Sequence, residues 1–129
     1  PVIIHNLKAS AAIVAAVRTT RFSQGGIVHA FSGSLEEAQA FIRCGFKIGI
    51  GSLLLNPAAK KARQAAAALP LEHIVLETDS PFMLKNEINT PANVRAIAET
   101  AAGLRGISLA ALSVQTEINV AQLLAFQTA

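Results

Sequence analysis

Three residues whose side chains bind metal ions or transfer protons occupy similar positions along the sequence. His5, His29 and Asp79, the single aspartate of the chain, each follow a short apolar segment that is typical of a buried strand. Imidazole nitrogens and a carboxylate are suitable ligands for Zn²⁺, Mn²⁺ or Fe²⁺. Each residue alone is commonly structural, but a buried carboxylate needs a partner, and the repeated placement indicates a shared metal site.

Further polar groups lie beside these three. Ser32 and Gly33 follow His29, and their backbone N–H groups are candidates to bind a substrate oxyanion near the start of the next helix. Glu77 precedes Asp79 by two residues and therefore points to the same face of the strand. There it could line the interior of a barrel or hydrogen-bond a ligand, and of these and a structural role we favour the structural one. A Ser–His–Asp triad is not indicated, because each candidate serine lies in a turn or a helix cap.

The elements that must position these residues alternate between strand and helix. The predicted strands are Val2–Ile4, Ile27–Val28, Phe46–Ile50 and Ile74–Leu76. Helices are predicted over residues 9–17, from Ser34 to near Gly45, from Asn56-Pro57 to before Pro70, from Thr90-Pro91 to Gly106, and from Ser108 to about Phe126 with a break near Thr116.

Strands that are apolar on both faces are typical of a parallel sheet, whose carboxyl-end edge carries the active site. Both an open doubly wound sheet and half of a (β/α)₈ barrel fit this α/β pattern.

Composition limits the class of protein. The chain has 129 residues, of which 52% are hydrophobic and 15% charged, so it can bury the core of one domain. We expect no membrane span and no signal peptide. The single cysteine, Cys44, predicts a reducing compartment and hence a cytoplasmic location. The net charge of +3 weakly favours an anionic partner, while the lack of Trp and Tyr argues against a dedicated single-strand binding module.

Four motifs together permit a comparison with a known family. They are Pro1-Val2-Ile3-Ile4-His5, His29-Ala30-Phe31-Ser32-Gly33, Ile48-Gly49-Ile50-Gly51 and Leu76-Glu77-Thr78-Asp79-Ser80-Pro81. In this order they resemble the TatD family of metal-dependent deoxyribonucleases, in the amidohydrolase superfamily. The resemblance covers the whole chain. It implies a (β/α)₈ barrel, one to three divalent ions (Mg²⁺, Mn²⁺ or Zn²⁺), and hydrolysis of phosphodiester bonds, often in DNA.

The resemblance also implies roles for individual residues. His5 and His29 match the metal-binding histidines of the fifth and sixth strands. Asp79 matches the aspartate after the eighth strand, which contacts the metal-bound water and can act as general base. Leu7 stands where many members carry an arginine, which removes a possible phosphate contact.

The sequence matches only part of the family pattern. The H-x-H pair and the glutamate that the family places on earlier strands have no counterpart here, and a whole barrel takes about 250 residues. We therefore expect residues 1–129 to form the last four βα units of the barrel and a C-terminal helix. Two unpaired edge strands then predict self-association or pairing with an N-terminal half. A superfamily relative that hydrolyses a small ester, amide or lactone, and a non-catalytic half-barrel, are the alternatives to a DNase.

Overall fold

Four parallel strands form one sheet in the order of the sequence, as predicted. The structure is a computed structural model that describes residues 1–125. The strands are β1 (Val2–His5), β2 (Gly26–His29), β3 (Phe46–Ile50) and β4 (Ile74–Leu76). Within the described residues, β1 and β4 are the edges of the sheet.

Helices α1 (Ser10–Thr19), α2 (Leu35–Arg43) and α3 (Lys60–Ala68) connect consecutive strands, and α4 (Val94–Arg105) and α5 (Leu109–Leu124) follow β4. Short 3-10 turns at Ser52–Leu55, Leu71–His73 and Pro91–Asn93 complete the connections. In residues 1–125, no single helix has the length and apolar composition to cross a bilayer. The last two helices meet that test only as a pair, Pro91–Arg105 with Leu109–Leu124, bent by 110°.

The helix boundaries show which sequence signals were decisive. Ser34 begins α2 with the predicted capping box, because its hydroxyl accepts from the Glu37 N–H while the Glu37 carboxylate accepts from the Ser34 N–H. Helix α3 begins later than predicted. The side chain of Asn56 accepts from the Ala58 N–H at 3.0 Å and closes a turn, so the helix starts at Lys60 instead of Pro57.

The final helix is continuous, whereas a break near Thr116 was predicted. No break occurs at Thr116, whose hydroxyl donates to the carbonyl oxygens of Leu112 and Ser113 within a continuous α5. A hydroxyl that bonds back to the preceding turn leaves the helix intact. The expected end of this helix near Phe126 lies outside the described residues.

The two faces of the sheet have different environments. Val28, Ile48 and Ile74 are aligned by the strand register, and each is at most 1% exposed in the core that the helices cover. Side chains alternate between faces along a strand, so Ile3 and its register partner Ile27 point the other way. Ile3 is 74% exposed, which leaves part of this second face uncovered.

Candidate metal centre

His5 and His29 are direct partners across the sheet. They are aligned in the parallel register of β1 and β2, and both are the last residue of their strand. His5 Nδ1 lies 2.8 Å from His29 Nε2, and the ring centroids are 5.0 Å apart. One ring nitrogen therefore donates and the other accepts, according to the tautomers. The prediction that these two histidines are near neighbours at the carboxyl-end edge is confirmed.

Glu77, which follows β4, extends across β3 to contact the residues at the end of β2. Its Oε1 accepts a hydrogen bond from the backbone N–H of Ala30 and lies 3.8 Å from His29 Nδ1. The backbone N–H of Glu77 donates to the carbonyl oxygen of Ile50, which extends the pairing of β4 with β3 beyond Leu76. Glu77 is thus part of the site, a role that the sequence analysis did not assign to it.

The two glycines of the sequence Gly49-Ile50-Gly51 allow the Glu77 side chain to cross β3 toward His29. A Cβ atom at Gly49 would lie 2.8 Å from Glu77 Oε2, and one at Gly51 would lie 3.2 Å from both Cγ and Oε1 of Glu77. Both values are at or below the closest ordinary contacts, so the glycines create the space in which the Glu77 side chain lies. The sequence signal for this arrangement was the pair of glycines two residues apart, one in β3 and one directly after it.

The surroundings of Glu77 act in opposite directions on its acidity. Burial raises the pKa of the Glu77 carboxyl above its ordinary value. The Ala30 N–H and nearby His29 lower this pKa, because both stabilise the carboxylate. The charge of Asp79 raises the pKa further. The side chains of His29 and Glu77 are 19% and 21% exposed, so the pair is only partly accessible to water.

Asp79 lies just past the same end of β4, on an exposed turn. Its backbone is in the left-handed region at φ 57°, and its carbonyl oxygen accepts from the Phe82 N–H at 3.0 Å. The buried Asn89 holds the following loop, because its amide nitrogen donates to the carbonyl oxygens of Thr78 and Phe82. Asp79 forms no ion pair with any residue in the part of the chain that the structure describes.

Ser32 and Gly33 lie in the turn between β2 and α2. Ser32 is exposed. Gly33 packs against the Glu37 carboxylate, which already accepts from the Ser34 N–H at 2.8 Å. An anionic group that approached Gly33 would therefore meet this carboxylate. Substrate binding by Ser32 and Gly33 stays a prediction.

The donor set fits part of a metal centre. Within residues 1–125, no three His, Cys, Asp or Glu side chains are placed to hold one ion. Two imidazoles do present their ring nitrogens to each other, and two carboxylates, Glu77 and Asp79, follow β4, which β3 separates from β2. Nitrogen and oxygen donors of this kind suit Zn²⁺, Mn²⁺ or Mg²⁺. Joint coordination by His5, His29 and Asp79 stays a prediction.

Comparison with known proteins agrees with this geometry. A family model described as TatD related DNase matches residues 1–125. The chain belongs to this family. The fold class predicted from the sequence is therefore confirmed, since the parallel α/β arrangement matches the TatD structure described next.

Several TatD-related proteins are similar to this chain. The uncharacterized metal-dependent hydrolase YcfH of Escherichia coli (strain K12) is 34% identical over 128 residues, which cover 95% of this chain and 48% of the relative. The 3'-5' ssDNA/RNA exonuclease TatD of Erwinia billingiae (strain Eb661) is 32% identical over 108 residues, covering 77% of this chain and 41% of the relative. The crystal structure of YjjV, a TatD homologue from Escherichia coli K12, matches with a TM-score of 0.89 at 30% identity.

The match with YjjV covers 95% of this chain and 49% of that one. The chain thus spans about half the length of the TatD-family relatives with which it aligns along nearly its whole length.

Proposed function

We propose that this chain supplies part of the active site of a metal-dependent hydrolase that cleaves phosphodiester bonds in DNA. The observation that carries the proposal is the pairing of His5 with His29 at adjacent strand ends, with Nδ1 and Nε2 2.8 Å apart. The family description, TatD related DNase, and the name of the Erwinia exonuclease support DNA as the substrate class.

The proposed metal ligands are His5, His29 and Asp79. His5 and His29 would hold a divalent cation through ring nitrogens, which now face each other at 2.8 Å. When bound, a divalent ion such as Mg²⁺, Mn²⁺ or Zn²⁺ supplies a Lewis acid and lowers the pKa of a coordinated water. His5 and Asp79 are exposed and His29 is partly exposed, which leaves room for substrate at this end of the sheet.

Asp79 is the proposed general base. Hydrolysis adds the oxygen of one water molecule to phosphorus and breaks the bond between phosphorus and one sugar oxygen. The Asp79 carboxylate accepts a proton from the attacking water, and the departing sugar oxygen takes up a proton to leave as a hydroxyl. An exposed carboxylate that forms no ion pair with a described residue is available for this transfer.

We further propose that the chain forms the C-terminal half of a TatD-type barrel and pairs with an N-terminal half or with a second copy. The match to about half of the YjjV chain supports this proposal. So does Ile3, which is 74% exposed on the edge strand β1, because an unpaired edge strand with an exposed apolar side chain favours pairing with another segment. The remaining metal ligands would then come from the partner segment.

The test is a nuclease assay in which an N-terminal half from a relative is added to the chain. The chain is mixed with the half of Escherichia coli YjjV that it does not match, and end-labelled single-stranded DNA, duplex DNA and RNA are offered with Mg²⁺, Mn²⁺ or Zn²⁺. We expect metal-dependent shortening of DNA that EDTA abolishes. His29→Ala and Asp79→Asn should reduce it to the EDTA level. His73→Ala is the matched control, since His73 lies before β4, at the opposite end of the sheet.

Other outcomes would change the assignment. Metal-dependent hydrolysis of small esters, amides or lactones with intact DNA would favour a different superfamily reaction. A mixture that assembles, binds metal and hydrolyses neither class of substrate would favour a non-catalytic half-barrel. Nuclease activity that survives both substitutions would contradict the proposed roles of His29 and Asp79.

A further inference from the structure

We propose that Glu77 is a positioning residue for His29: its carboxylate fixes the turn after β2 and holds the imidazole so that the Nε2 lone pair faces His5. The inference rests on the proposed metal-binding role of His29. Glu77 is itself outside the proposed ligand set. Its carboxylate lies beside His29 because Gly49 and Gly51 carry no side chains.

The first step is the turn that Glu77 restrains. Ala30 directly follows His29 and has φ 49°, in the left-handed region. A residue with a Cβ atom is disfavoured there, so the conformation needs a compensating contact. The Ala30 N–H donates to Glu77 Oε1, and the next N–H, of Phe31, donates to the carbonyl oxygen of Gly49 at 3.0 Å. These two bonds fix the backbone that carries the His29 ring.

The second step is the charge beside the ring. The same Oε1 lies 3.8 Å from His29 Nδ1. This distance is too long for a hydrogen bond, but a carboxylate there still favours the tautomer with the proton on Nδ1. Nε2 then keeps its lone pair and accepts from His5 Nδ1 at 2.8 Å. An outer carboxylate that sets the tautomer of a metal-binding histidine is a general feature of such sites.

The third step is the route across β3. Glu77 reaches His29 only over Gly49 and Gly51. A Cβ atom at Gly49 would also lie 3.0 Å from the carbonyl oxygen of Val28, so alanine there would disturb the sheet itself. At Gly51, the three atoms nearest to such a Cβ all belong to the Glu77 side chain, and the backbone is extended at φ −122°. Gly51→Ala is therefore a selective means of displacing Glu77.

The experiment compares Glu77→Gln, Glu77→Ala, Gly51→Ala and the Gly51→Ala/Glu77→Ala double variant in the full chain. Two quantities are measured: the tautomer of His29 from its ring ¹⁵N chemical shifts, and the affinity for Zn²⁺ by calorimetry. The His73 ring, which lies before β4, serves as the internal reference in the spectra. Circular dichroism establishes that each variant is folded.

We expect the wild-type chain to hold the His29 proton on Nδ1. Glu77→Gln keeps an acceptor for the Ala30 N–H but removes the charge, so the turn should persist while the Nε2–H tautomer gains population. Glu77→Ala should lose both effects and weaken Zn²⁺ binding about tenfold or more. Gly51→Ala should weaken binding in the same direction when Glu77 is present and have no effect in the Glu77→Ala background.

The proposal is overturned if Glu77→Ala leaves both the His29 tautomer and the Zn²⁺ affinity unchanged. It is also overturned if Gly51→Ala acts equally in both backgrounds, since its effect would then not pass through Glu77. If Glu77→Ala fails to fold, Glu77→Gln and Gly51→Ala decide the matter. If the wild-type chain binds no Zn²⁺, the proposed metal site fails, and the ring spectra alone decide whether Glu77 positions His29.

Discussion

Asn119 in α5 donates a hydrogen bond to the carbonyl oxygen of Ile74, the first residue of β4, at 2.7 Å. The same amide nitrogen donates to the carbonyl oxygen of Leu71 at 2.8 Å, and the Asn119 side-chain oxygen accepts from Gln115 at 2.9 Å. Asn119 is fully buried. The final helix is thus fastened to the start of the strand whose other end leads to Glu77 and Asp79.

We expect Asn119→Ala to destabilise the fold by about 2–3 kcal/mol, because the buried carbonyl oxygen of Ile74 and the partly buried one of Leu71 lose their donor. The midpoint of denaturant unfolding, followed by circular dichroism, measures this change. Gln122→Ala is the control, since Gln122 is exposed on the same helix. Equal midpoints for the two variants would show that the buried amide does not stabilise the fold.

The loop after Asp79 depends on a second buried amide. Asn89 donates to the hydroxyl of Ser52 at 2.9 Å and to two backbone carbonyl oxygens. We expect Asn89→Ala to speed amide hydrogen exchange in residues 79–88 at least tenfold, with little change in β2 and β3. Lys85→Ala, an exposed change in the same loop, is the control. An unchanged exchange rate in the loop would contradict this role for Asn89.

Metal binding by the chain alone should be weak. Within residues 1–125, no group of three His, Cys, Asp or Glu side chains is arranged to hold one ion, so water would fill several coordination positions. We expect a single weak event in Zn²⁺ or Mn²⁺ calorimetry that His29→Ala abolishes and His73→Ala does not. Tight binding of two ions per chain would show that these residues form a more complete centre than the structure indicates.

Association is expected through the uncovered sheet face and its edges. Ile3 is 74% exposed on β1, and Leu7 is 76% exposed in the loop that follows. Ile3→Lys should shift the sedimentation profile at micromolar concentration toward the monomer, because a charge on an edge strand opposes pairing. Leu7→Lys adds the same charge outside the strand and should have a smaller effect. A stable monomer of 13.5 kDa in the wild-type chain would argue for a self-contained open sheet.

Local signals were sufficient for most of the fold. Short apolar segments predicted the strands and placed His5 and His29 at their carboxyl ends. Turn and cap residues predicted the capping box at Ser34. Glu77 was assigned only a structural role because its position in the site depends on the absence of side chains at Gly49 and Gly51, on a different strand. The predicted break at Thr116 was wrong because its hydroxyl is satisfied within the helix. The position of Glu77 thus depends on contacts between segments that are distant in sequence, whereas the hydrogen bonds of Thr116 are local to α5.

The alignment of His5 with His29 has a consequence for how the chain folds. Successive side chains of β1 point to opposite faces, so a slip of this edge strand by one residue would turn His5 away from His29 and bring Ile4 or Asn6 opposite it, depending on the direction of the slip. A cation that binds both imidazoles stabilises only the correct alignment, because the slipped form lacks one ligand. Such an ion would thereby favour the correct register of β1 on β2 while the chain folds, in addition to its proposed role in hydrolysis.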